Sequence, residues 1–244
     1  MMAGNIPARS SFMNLDYAEI ADMLQRAVGL TKALVAVKLF DDMSMVPQNL
    51  PRPESSLFYC AAVGRAMKGE TLLMLADDHA CLRGAFMLGV KDAPASVTNG
   101  TTYAKSHMVA SARAGQRLIE QAPKLPAGHT VAILLSPLAK TPVDPDVVLA
   151  SANPHQALQL LNATTYDTGL EIPMRFQILT SFCAYATVLP FKAAIPQAVI
   201  PQEQARKRSD LTNEEMVVGI PVEALEHAAE VISGICCVVP QAKL

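Results

Sequence analysis

The chain has 244 residues, a formal net charge of −2, 51% hydrophobic and 17% charged residues, and no tryptophan. That length suits one large domain or two small ones, and it buries a sizeable core without staples. The composition excludes a disordered or collagen-like chain, and the charge offers no basic footprint for nucleic acid.

In chain order, residues 1–13 read as a flexible arm. Asp16 with Glu19 three residues later is a capping-box pair, and Ile20, Met23, Leu24, Ala27 and Val28 share one helical face ended by Gly29. Residues 34–40 read as a strand, and 41–53, with three prolines, as a long loop of the kind that often carries function. A helix is predicted over 56–68, a strand over 71–76, and a short helix over 81–88 capped by Asp77-Asp78. A further helix runs from about 103 to 121, where Pro123 and Pro126 follow. Strands are predicted over 129–136 and 147–150. Asn153-Pro154-His155-Gln156 then opens a helix, with a cap, a first-turn proline and a third-position glutamine. Residues 172–189 lean to helix and 190–204 to loop. A strand over 215–220 passes into a last helix that Pro221 opens and Gly234 closes. The segments from Val147 and Val217 echo each other faintly, too weakly for a repeat.

Alternating strands and helices predict an α/β fold, or a mixed α+β one, with helices layered on a sheet through strand–turn–helix units. The expectation is one α/β domain over 14–240, with 122–128 as the place where two lobes would divide. Residues 1–12 do not read as a signal peptide, and no run approaches 18 apolar residues. The expectation is therefore a cytoplasmic protein with reduced thiols and no membrane partner. The apolar excess points to a homo-oligomer, because surplus apolar surface needs a partner.

Five cysteines are too few and too irregular for a disulfide scaffold. Cys81 sits at the start of a helix, where unpaired amides and the dipole favour a thiolate, and His79 is two residues away to tune it. Arg83 follows. Cys60 and Cys183 fall in apolar segments that also read as plain core. Cys236-Cys237 reads as apolar filler near the C-terminus. No CxxC, HExxH, Walker or GxGxxG pattern occurs. The run Ala205-Arg206-Lys207-Arg208 reads as a solvated turn or as a place to hold an anionic group.

Several segments in order carry a resemblance: Val35-Ala36-Val37-Lys38, Tyr59-Cys60-Ala61-Ala62, Cys81-Leu82-Arg83-Gly84-Ala85 with Leu88-Gly89, Pro145-Asp146-Val147-Val148-Leu149, Asn153-Pro154-His155-Gln156-Ala157 and Glu215-Met216-Val217-Val218-Gly219-Ile220-Pro221. Together, over about 16–234, the chain resembles the domain-of-unknown-function family 169, a group of prokaryotic proteins. The resemblance implies an α/β protein with recurring cysteines, to which Cys60, Cys81 and Cys183 correspond, and it transfers no activity. Similar proteins carry a Cys/Gly-rich stretch where this chain has Pro201-Gln202-Glu203-Gln204-Ala205-Arg206-Lys207, so a fourth thiolate from that loop is absent here.

Three functions follow as expectations. The first is a metal or iron–sulfur protein using Cys60, Cys81 and Cys183, with a cluster or zinc as cofactor and an open position for a small molecule. The second is a metal-free enzyme with Cys81 as nucleophile and His79 or a distant base as its catalytic partner. The third is a non-catalytic binder of a small anionic ligand held by Arg83 and Arg206, with the loops 41–53 and 205–208 closing over it.

Overall fold

A computed structural model of the chain describes residues 16–235. Helix α1 (Tyr17–Val28) starts on the Asp16 cap with its reciprocal Glu19 contact and ends at Gly29, φ 73°. Its buried stripe of Ile20, Ala21, Leu24 and Val28 follows the 3.6-residue period. Strands β1 (Val35–Phe40), β2 (Leu72–Leu75), β3 (Ala132–Pro137), β4 (Val147–Ala152), β5 (Gln197–Val199) and β6 (Met216–Pro221) form one sheet in the order β2-β3-β1-β4-β6-β5. Every pairing is antiparallel, with Val35 opposite Pro137 on one side and Leu149 on the other. The mixed α/β layering is as expected, but the sheet has no parallel pair. Residues 122–128 do not separate two sheets, since β3 lies between β2 and β1.

Side chains alternate across the sheet with period two. Val35, Val37, Leu39, Ile133, Leu135, Val147 and Leu149 face one core. Ala36, Val148, Ala150, Ala198, Val218 and Ile220 face the other, with α1, α7 (Pro154–Thr165) and α10 (Val222–Ile235). The faint echo has a structural counterpart. Strands β4 and β6 are antiparallel neighbours, and α7 and α10, which follow them, pack together.

The first core is roofed by the elements that build the site. Helix α2 (Tyr59–Met67) begins three residues later than expected, after the Phe58 cap. Helix α3 (Leu82–Met87) is capped by Cys81, not by Asp77-Asp78. The Asp78 carboxylate instead accepts the Leu75 N–H at 2.8 Å and pairs with Arg52 at 2.8 Å. The helix expected to run from about 103 to 121 is divided into α5 (Thr101–Lys105) and α6 (Ala112–Gln121), behind a short α4 (Ala95–Thr98).

The helix expected within 172–189 is a buried π-helix, Ser181–Val188, continued by α8 (Leu189–Ala193). The loop expected over 190–204 holds α8 and the edge strand β5. The basic run is helical, in α9 (Glu203–Ser209).

Two glycines set the spacing of these layers. A Cβ at Gly219 would stand 1.9 Å from the Ala186 carbonyl oxygen, so only glycine lets β6 touch the π-helix. A Cβ at Gly64 would stand 2.6 Å from the Ser209 Cα, so α2 and α9 pack backbone to backbone. Among the described residues no helix is long and apolar enough to cross a membrane. The expected arm over 1–13 and the Cys236-Cys237 pair lie outside the described residues.

Candidate functional site: a three-cysteine pocket

Cys60, Cys81 and Cys183 line one pocket, with 20 and 101 residues between them in the chain. It opens to solvent. Four helices begin at it: α2 with Phe58–Cys60, α3 with Cys81, the π-helix with Thr180–Cys183, and α9 with Gln202. First-turn amides have no partner inside their own helix, so α2 and the π-helix turn donors and positive dipole ends toward this space.

Each thiol has its own setting. Cys81 is half-buried, and its Sγ accepts the Gly84 N–H at 3.3 Å. Cys60 is half-buried in the first turn of α2. Burial pushes its thiol up to about 11, against the pull of Arg208, while Cys81 adds to the rise. Cys183 is buried, and its thiol is pushed up to about 12 by burial and by Cys81 and Cys60, against the pull of Arg83. The three sulfurs therefore sense one another electrostatically. Among the described residues, no group of three or more His, Cys, Asp or Glu is arranged to hold a metal ion.

Two arginines frame the pocket. Arg83 lies over the Tyr103 ring, 5.4 Å from its centroid, and Arg208 lies over the Phe58 ring at 3.8 Å. The lining includes no aspartate or glutamate. Arg206 is placed elsewhere. It is buried and donates to the carbonyls of Thr212, Glu215 (2.7 Å) and Pro201 (3.2 Å), which makes it a clamp on the turn after α9. Of the basic run, Arg208 reaches the pocket. On a helix, positions 205 and 208 share a face and 206 does not. Residues 203–209 taken as a loop gave no reason to apply that spacing.

His79 is not in the lining. It is 4% exposed, and neither ring nitrogen has a hydrogen-bond partner, so neither reaches Cys81 Sγ. Burial and the charge of Lys91 push its pKa down to about 4, against the pull of Asp78, and leave it neutral at pH 7. The loop 41–53 is also away from the pocket, with Val46 and Leu50 packed against Phe40, Leu73, Ala132 and Leu134. Reading the sequence singled out neither Phe58, Tyr103 and Ser181 nor the Tyr59–Thr187 pair. Their importance lies in contacts between segments far apart in the chain, which no local pattern records.

The uncharacterized protein MJ0308 of Methanocaldococcus jannaschii is 27% identical over 216 residues, covering 88% of this chain and 92% of that protein. No solved structure matches the chain. The family model described as uncharacterised ArCR matches residues 23–231, and the chain belongs to that family, domain-of-unknown-function family 169.

Proposed function

We propose that the chain binds an iron–sulfur cluster through Cys60, Cys81 and Cys183 and acts with it on a small molecule. One observation carries this reading: three cysteines far apart in sequence, on three different elements, line the same pocket. The donor set is soft, as such clusters require. Ligands of a single zinc ion stand within about 4 Å of each other, given Zn–S near 2.3 Å, whereas cluster ligands stand farther apart. Arg83 and Arg208, with no acidic side chain in the lining, offset the charge of three thiolates. Held by Cys60, Cys81 and Cys183, such a cluster would supply a place to bind a ligand or pass an electron.

The chain's own part is to orient and shelter. The Gly84 N–H holds Cys81 Sγ, and Phe58 and Phe182 exclude water from one side. The protons of Cys60 and Cys183, held tightly by burial, leave when metal binds, so loading strengthens as pH rises. The thiol chemistry suits a reducing, cytoplasmic setting. A second reading, with Cys81 as a nucleophile, has the Gly84 contact in its favour. It lacks a base, since His79 does not reach the sulfur.

Anaerobic purification with iron and sulfide analysis tests the proposal. Visible charge-transfer absorbance and bound iron are expected in the wild type, with loss of both in Cys60→Ser, Cys81→Ser and Cys183→Ser. A colourless, iron-free protein with all three thiols intact overturns it.

A further inference from the structure

We propose that the cysteine pocket contains an oxyanion subsite, formed by Arg83, Arg208 and Ser181 Oγ, that takes a small molecule by its carboxylate or phosphate group. This deepens the functional reading above by giving the pocket's substrate class, and it rests on that reading for the chemistry that follows binding. Three independent observations carry it. The pocket wall includes two arginines and no acidic residue. Neither arginine has an ion-pair partner among the described residues. Ser181 stands between this pocket and a smaller one lined by Gln177 and Tyr185, is 4% exposed, and its Oγ has no hydrogen-bond partner. Buried hydroxyls are nearly always satisfied, so an orphan on a pocket wall marks a place where a ligand donates or accepts.

The packing of the arginines fits the same role. Arg208 presents a guanidinium face to Phe58 at 3.8 Å, and Arg83 lies over Tyr103 at 5.4 Å. Aromatic faces hold the planar cation from one side and leave its in-plane N–H edge for another acceptor. The hydrogen bond that Arg208 donates to the Gln204 carbonyl is long, at 3.5 Å. An oxyanion head group supplies the charge and the several acceptors that these donors lack, and Arg forks match carboxylate and phosphate geometry.

The competing account is that the arginines serve only as counter-charges for cysteine-bound metal. Anaerobic calorimetric titration of the full chain with inorganic phosphate and with succinate separates the two, and the two probes show which head group is preferred. Saturable binding of at least one is expected. It should be weakened at least tenfold in Arg83→Gln and Arg208→Gln and several-fold in Ser181→Ala, compared at matched iron content. Equal binding by wild type and variants overturns the subsite. So does loss of iron in the arginine variants with oxyanion binding retained. Oxyanion binding by a Cys60→Ser, Cys81→Ser, Cys183→Ser triple variant upholds the subsite whether or not the wild type carries iron, so the two proposals fail separately. A further measurement needs no variant. In chelator-treated wild type, whichever of phosphate and succinate binds should, at saturation, slow iodoacetamide alkylation of Cys81 at least fivefold relative to chloride at matched ionic strength. Equal rates overturn the subsite.

Discussion

The Tyr59 hydroxyl lies 2.8 Å from Thr187 Oγ1, and that bond ties the helix carrying Cys60 to the helix carrying Cys183. Thr187 Oγ1 itself donates to the Phe182 carbonyl at 2.9 Å, so Tyr59 is the donor in the first link. Both side chains are buried, so a group that loses its partner there stays desolvated. The distance between two pocket thiols is thereby set by a polar contact beneath them.

Removing either end should cost stability unequally. Tyr59→Phe loses one hydrogen bond while Thr187 keeps its other, for about 1 kcal/mol. Thr187→Val strands the tyrosine hydroxyl, while the Phe182 carbonyl keeps its π-helix bond, for about 2 kcal/mol. Urea denaturation monitored by circular dichroism measures both. Equal costs would contradict the donor order drawn above.

The two close-approach glycines should be intolerant in different ways. Gly219→Ala forces a Cβ onto the Ala186 carbonyl and should destabilise by roughly 3 kcal/mol or prevent folding. Gly64→Ala pushes α9 off α2 and should cost about 1–3 kcal/mol. Because Arg208 rides on α9 and its charge pulls the Cys60 thiol down, Gly64→Ala should also slow Cys60 alkylation. Thermal melts with mass-mapped labelling test this, and a wild-type labelling pattern in a destabilised Gly64→Ala would count against the coupling.

Acid should unlock the turn after α9. Burial alone would raise the Glu215 pKa, but hydrogen bonds from Lys32, Ser151 and the Thr212 N–H, with the Lys32 charge, outweigh it and lower it to about 2. A carboxylate whose folded pKa is depressed contributes stability above its unfolded value near 4.5. That contribution is lost as pH falls through about 2. The effect is on the order of 2–3 kcal/mol, for a side chain 15% exposed. Unfolding free energies of wild type and Glu215→Gln should converge as pH falls from 5 to 2. A gap that stays constant over that range would refute it.

The thiols should react in a fixed order when the protein carries no metal. Cys183, pushed up to about 12 and buried, has a thiolate fraction of about one part in ten thousand or less at pH 7.5. Cys60 is held up to about 11. Cys81 is half-exposed and bonded to an amide N–H, so iodoacetamide should label it first and Cys183 only on unfolding. Peptide mapping over time reads the order directly, and early labelling of Cys183 would overturn it.

Much of the fold is legible in local pattern, and the misses have physical causes. The Asp16 and Asn153 caps, with Glu19 and Gln156 replying, mark helix starts because their chemistry is complete within four residues. Strands β1 and β4 are legible from β-branched apolar runs buried on both sides. Cys81 stood out as a helix-start cysteine and is in fact the cap itself. Prolines misled over 190–204, where Pro190 sits in the first turn of α8 and does no harm there. Cys60, Cys81 and Cys183 could be grouped by resemblance alone. Their meeting depends on Gly64, Gly219 and the Tyr59–Thr187 bond, each a contact between distant segments.

The pocket is assembled from Phe58 at one end of the chain's order to Arg208 at the other, with an antiparallel sheet of long-range pairings beneath it. A nascent chain emerging from the ribosome therefore has no pocket until α9 is released and β6, synthesised after it, docks against the π-helix. Sheets of this kind close slowly, because loop entropy must be paid before the pairing rewards it. Whatever the pocket holds therefore arrives only after α9 and β6 are in place.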